Sequence, residues 1–183
     1  MAHYADVFQE SITMKRVFLA TTIFVSLLMP AAQAAPSNFF DNLSGSWSGS
    51  GKAYVTKYGE ISANCRVAIN GSETKVAMNG SCGMLVFRQA LGLSIRNAGG
   101  NKYVGTYTGS KTGPAKLVGT LRGDRLMMTI KWGGLVNGDR TAQMVLERTG
   151  PNSFAQTVND TVEGKSRSTS RFAFVRASVR AAN

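Results

Sequence analysis

Leu43 to Gly51 reads LSGSWSGSG, one indole set among serines and glycines. Residues this small stabilise neither helix nor strand by themselves, so the stretch needs a tertiary reason. The flanking pattern supplies it. From Leu43 onward hydrophobicity alternates with period two, the signature of strands with one buried face. Ile61, Ala63, Cys65, Val67 and Ile69 alternate with Ser62, Asn64, Arg66 and Ala68, and Asn70-Gly71 then offers a hairpin turn, because both residues tolerate positive φ. Tyr103, Gly105 and Tyr107 alternate with Val104, Thr106 and Thr108. AKLVGTLR ends at Gly123-Asp124, a second hairpin signal, and RLMMTIKW puts Leu126, Met128, Ile130 and Trp132 on one face. Ala142, Met144 and Leu146 follow in RTAQMVLER, and SFAQTVND and TSRFAFVR complete a series of about eight to ten strands. Helical periodicity is confined to two short pieces, Phe39 to Leu43 and the tail after Arg176.

Short strands joined by tight turns predict an antiparallel meander, and closing such a sheet on itself hides its edges. The expected fold is an all-β, up-and-down barrel, with a β-sandwich as the alternative. In a small barrel the first strand is sharply bent. Glycine relieves crowding at the bend while one large side chain plugs the end. Trp47, Gly49, Gly51, Ala53 and Val55 share that inward face, so the indole closes the base and the small residues leave room above it.

Gly45-Ser46-Trp47 on this first strand resembles the G-x-W signature of lipocalin-like (calycin) barrels. The resemblance implies an arginine near the end of the last strand, packed over the indole. Arg176, after Phe172, Ala173, Phe174 and Val175, stands in the right order, and Arg171 is the alternative. Gly45, Trp47 and Arg176 are therefore the expected closure of the barrel. The wider pattern, L-x-G-x-W-x-G-x-G, two cysteines and a final F-x-F-V-R, is similar to small exported barrel proteins of unassigned function from alphaproteobacteria.

The N-terminus carries an address. Met14 begins MKRVFLATTIFVSLLMPAAQA, with Lys15 and Arg16 as a basic region, an apolar run from Val17 to Leu28, and Ala32-Gln33-Ala34 in small-x-small form. This predicts a secretory signal peptide cleaved between Ala34 and Ala35. The apolar run is shorter than the roughly 20 residues that span a bilayer as a helix, so no transmembrane helix is expected after cleavage. The preceding 13 residues carry Asp6 and Glu10, unlike a leader, and suggest that translation starts at Met14. The expected layout is an over-extended start at 1–13, a signal peptide at 14–34, a short linker at 35–42, the barrel at 43–176 and a basic tail at 177–183. The destination is the periplasm or the medium.

The full chain of 183 residues has 21 basic and 10 acidic residues and one histidine, His3. Losing the leader removes two of each charge, leaving 19 basic against 8 acidic residues and no histidine. Such a chain builds no Ser-His-Asp triad, Cys-His pair or His-ligated zinc site. Its acids are scattered, and the closest pair, Asp160 with Glu163, reads as turn solvation beside Gly-Lys-Ser. The expectation is a non-enzyme with no metal, no cofactor and no catalytic residue.

Cys65 and Cys82 in an exported chain are candidates for a disulfide. A two-residue turn at Asn70-Gly71 would place Cys65 opposite Val76 and leave Cys82 on the order of 20 Å away. The bridge therefore requires a loop spanning Asn70 to Lys75, and otherwise the thiols are buried separately. Lys165, Arg167, Arg171, Arg176 and Arg180 follow Glu163 with no further acid. Lys165, Arg167, Arg171 and Arg180 are thus candidate contacts to an anionic surface. Nucleic acid is not expected, because the aromatics among these basic residues, Phe172 and Phe174, read by their alternation as core, and export argues against a genomic target. Tyr54, Tyr58, Tyr103, Tyr107 and Trp132 are candidate ligand-lining residues, since aromatics with polar tips suit a barrel mouth. Three functions follow in order: a binding barrel for a small apolar or amphipathic ligand, a filled barrel that meets protein or anionic envelope polymer through its basic surface, and a small outer-membrane barrel.

Overall fold

A computed structural model describes residues 39–84 and 86–178. The predicted leader, its cleavage point at Ala34 and Ala35, and Arg180 lie outside these residues. Ten antiparallel strands run in chain order: β1 Gly45–Val55, β2 Gly59–Ser72, β3 Lys75–Met84, β4 Phe87–Asn97, β5 Lys102–Tyr107, β6 Ala115–Arg122, β7 Arg125–Val136, β8 Asp139–Gly150, β9 Ser153–Val162 and β10 Lys165–Arg176. Each pairs with its neighbours in sequence, and β1 pairs with β10 to close a lipocalin-like barrel. Among the described residues there is no helix. Phe39 to Asn42 forms turns, not the helix the sequence suggested, and Phe39 and Phe40 belong to the core instead of to a linker.

Alternation places the core. Ala63, Cys65, Val67 and Ile69 of β2, Leu126, Met128, Ile130 and Trp132 of β7, and Ala142, Met144 and Leu146 of β8 all point inward and are buried. Their neighbours along each strand are mostly polar and exposed, so the described outer wall lacks the uninterrupted apolar band of a membrane barrel. Most strands have 10 to 14 residues, longer than the runs of about eight expected from the sequence. It is the polar exterior, not strand length, that argues against a lipid-facing barrel.

The tight turns use positive φ, at Gly and Asn and in one case at Glu163. Asn137-Gly138 has φ 53° and 101°, and Glu163-Gly164 has 53° and 74°. Asn70-Gly71, expected to turn, does not: β2 continues through it, and the turn falls at Glu73-Thr74, with Ser72 paired to Lys75. The Gly71 N–H instead donates to Ser44 Oγ at 2.8 Å, and that hydroxyl donates back to the Gly71 carbonyl at 3.1 Å. The side chain of Ser44 thus extends the β1–β2 ladder past its last strand pair, which the hairpin reading would have forbidden.

Moving the turn also settles the cysteines. Cys65 and Cys82 become direct cross-strand partners, with Cα atoms 4.0 Å apart and a disulfide between them. The bridge closes 17 residues of chain, a loop for which the unfolded-state constraint contributes about 3 kcal/mol. Replacing both cysteines with serine should lower the unfolding free energy by that order, read from urea unfolding midpoints, with the far-ultraviolet spectrum unchanged.

Candidate functional site

The two ends of the barrel differ. Turns at 73–74, 98–101, 123–124 and 151–152 share one end with the segment from Phe39 to Leu43, and that end is sealed. Trp47 is 2% exposed there. Its indole N–H donates to the Leu43 carbonyl at 2.8 Å, and its ring meets Phe154 edge-on at 5.0 Å between centroids. Phe154 stacks on Phe174 at 4.6 Å, and Phe174 leans on Phe172 at 6.3 Å. The two phenylalanines of β10 lie across β1 where only hydrogen fits: a Cβ at Gly49 would overlap the Phe174 ring, and one at Gly51 would overlap Phe172 and the Arg171 carbonyl.

Arg176 is the register partner of Trp47 and holds its guanidinium 4.6 Å from the indole centroid. Nη1 donates to the Ser44 carbonyl at 2.6 Å, Nη2 to the Asn42 carbonyl, and Nε to Asn152 Oδ1 at 3.0 Å. Gly45 has φ +132° with the Arg176 guanidinium packed against its Cα, where a Cβ would collide. The structure therefore brings Gly45, Trp47 and Arg176 into one cluster. Arg171, the alternative, points out of the wall beside Lys52.

The opposite half of the barrel is less full. A cavity of about 120 Å³ lies inside it, lined by the disulfide, Leu91, Phe172, Tyr107, Gln89 and Gln156 among others. Gln156 is buried on the inward face of β9 between Phe154 and Val158. Tyr107 packs edge-on against Trp132 at 6.1 Å, and burial pushes its phenol from 10.0 up to about 12. The Tyr107 hydroxyl lies directly over Gly109, in the space a Cβ there would take. The Trp132 indole N–H is buried without a hydrogen-bond partner among the described residues.

Of the candidate lining residues, Tyr107 alone lines this cavity, with Trp132 one ring behind it. Tyr54 is corrected: it lies on the outward parity of β1, under the Arg167 guanidinium at 4.4 Å. Tyr103 is corrected as well. It shares a face with Tyr107 but sits four residues nearer the sealed end, edge-on to Phe40 at 5.7 Å. Tyr58 is exposed at the β1–β2 turn. Gln89, Gln156 and Leu91 escaped the sequence reading; the signal for Gln156 was its inward parity in SFAQTVND. Lys165, Arg167 and Arg171 are all exposed, Lys165 at the start of β10 and Arg171 halfway down the wall.

Asp160 departs from its expected place too. It is an inward residue of β9, 4% exposed, and not a turn-solvating one. Its carboxylate accepts from Asn137 Nδ2 at 3.0 Å and from the Thr161 N–H at 2.8 Å. Burial raises its pKa, those two hydrogen bonds hold the rise back, and Asp139 adds to it.

No protein-family model and no curated protein matches the sequence. Solved structures do match its fold. The Rv2717c protein of M. tuberculosis superposes with a TM-score of 0.61 at 12% identity, over 79% of this chain and 99% of that one. The S-type phycobiliprotein lyase CPES of Guillardia theta gives 0.56 at 12% identity, over 81% and 96%. Both are calycin-like antiparallel barrels. The second corrects the expectation of a non-enzyme. A lyase is built on this fold, so the expectation that this chain is not an enzyme is withdrawn.

Two outcomes test the site. Arg176→Met keeps a stem over Trp47 but removes the donors to Asn42, Ser44 and Asn152, and should cost about 2–3 kcal/mol in chemical unfolding, given that the group is half-exposed. In alkaline titration at 295 nm, one phenol should ionise near pH 12 and vanish in Tyr107→Phe. The sign follows from the raised value: the unfolded chain ionises from about pH 10, so the stability tied to the neutral phenol is whole below that pH and lost as pH rises toward 12.

Proposed function

We propose that the protein is an exported binding barrel that takes the apolar end of a small amphipathic molecule into its less-filled half. The observation that carries this reading is the interior cavity, where apolar and aromatic side chains surround a few polar ones, Gln89, Gln156 and Tyr107. That combination is the usual make-up of a small-molecule site. Its volume narrows the ligand class. At about 120 Å³ it falls below the roughly 300 Å³ at which pockets begin to enclose a whole drug-sized molecule, so it admits a chain tip or a ring edge while the remainder stays at the mouth. The predicted leader and the disulfide support export, since such bridges persist in oxidising compartments.

Native mass spectrometry of the chain from Ala35, prepared gently from periplasm, should show an added mass that is lost on denaturation. Ala53→Phe places a ring in the cavity without removing a wall and should abolish that mass while thermal unfolding stays within a few degrees. A wild-type chain that carries nothing and takes up no fluorescent fatty acid, or an Ala53→Phe chain loaded as the wild type is, overturns the reading.

A further inference from the structure

Gly49 and Gly51 of LSGSWSGSG face inward against Phe174 and Phe172, but the serines of the stretch do not face the core. Ser46, Ser48 and Ser50 are exposed on the outer wall. Cross-strand register carries the same small, polar surface sideways. Ser48 pairs with Arg66, which pairs with Ser81, while Ser50 pairs with Asn64, which pairs with Gly83, itself opposite Arg88. The outcome is an open hollow of about 620 Å³ lined by Ser48, Ser62, Asn64, Arg66, Ser81 and Arg88. A second hollow of about 530 Å³ adjoins it along β1, with Ser50, Lys52 and Arg171 in its wall.

Arg66, Arg88 and Arg171 meet no carboxylate among the described residues, and Lys52 has only a long contact to Glu60 at 3.7 Å. Arg66 and Arg88 are two strands and two residues apart, roughly 12 Å between Cα atoms at standard sheet spacings, so each can take its own anionic group. Guanidinium forks match carboxylate and sulfate oxygens bidentately. The floor between them is hydroxyl and amide.

We infer that this β1–β4 wall binds an acidic polysaccharide, with Arg66 and Arg88 on successive carboxylate or sulfate groups and Ser48, Ser62, Asn64 and Ser81 on sugar hydroxyls. The composition discriminates among anionic partners. Single-stranded nucleic acid requires stacking aromatics, and Tyr54, at the edge of the wall, is already covered by Arg167. A protein partner requires a desolvated apolar centre, and membrane insertion requires apolar tips. The lining of the hollow offers neither, although Val86 and Phe87, next to Arg88 in the chain, are exposed. The side chains named here have outward parity and lie on the other face of the sheet from the cavity, with Cys65 bordering both.

The test is isothermal titration of the disulfide-bonded chain from Ala35 with polygalacturonate and with dextran sulfate, uncharged dextran being the control. Arg66→Gln with Arg88→Gln should weaken binding by about tenfold, two charge-assisted contacts being lost. Lys116→Gln with Lys131→Gln removes the same charge from a register pair on the distant β6–β7 wall and should change it less than about twofold. Arg66→Lys keeps the charge without the fork and should still lose a few-fold. Equal losses from the two double variants, no preference over dextran, or tighter binding to an oligothymidylate or to phosphatidylglycerol vesicles would each overturn the inference.

Discussion

The meeting of β1 with β10 is the constraint on which the rest of the barrel depends. A meander of ten strands left open would present two edges of unpaired backbone groups, each a template for aggregation. Closing it requires β1 to pair on both sides, Trp47 to Val67 of β2 and to Arg176 of β10. Arg176 secures the seam beyond the ladder. Its guanidinium takes up the carbonyls of Asn42 and Ser44, which precede β1 and have no strand partner, and covers the indole in the same act. The Ala177 N–H then reaches the Ser46 carbonyl at 2.8 Å.

The same seam explains why the barrel is filled at one end and hollow at the other. Trp47, Phe154, Phe174 and Phe172 form a continuous aromatic series that starts at the sealed end and climbs β10. It fits because Gly49 and Gly51 leave their space to the rings. Above Phe172 the series stops, and Ser170, Gln156 and Gln89 take over the lining with Tyr107. The transition from aromatic to amide side chains is the transition from packed core to cavity.

Much of this was legible in the sequence, and the failures share one cause. Parity along single strands is local, so the inward faces of β2, β7 and β8, the antiparallel barrel and the strand count within eight to ten could be read directly. Where strands begin and turn depends on their partners. Asn70-Gly71 has hairpin chemistry, yet Ser44 engages its backbone and Val76 pairs with Gly71, so the turn moves to Glu73-Thr74 and the cysteines come into register. β4 went unnamed although Leu91, Leu93 and Ile95 alternate inward; Gly92 between them is buried as well, under Thr108. Tyr103 and Tyr107 show the limit of parity for a site: it gives the face of a residue but not its height in the barrel, and height separates core from cavity.

Strand β1 answers to two demands at once. Inward, Gly49 and Gly51 are dictated by the phenylalanines of β10, a packing requirement that any side chain would violate. Outward, nothing in the packing dictates Ser46, Ser48 and Ser50. Solvent-facing strand positions favour threonine, valine or tyrosine, whose branched or aromatic side chains pack on cross-strand neighbours. A run of serine beside inward glycine forgoes that gain on the strand that closes the barrel. The cost is offset by the Cys65–Cys82 bridge on the adjoining β2–β3 pair and by Arg176 at the seam, which hold this wall covalently and electrostatically. A wall secured in that way can keep a low, hydroxyl-bearing outer surface, with guanidinium groups over it that meet no carboxylate among the described residues.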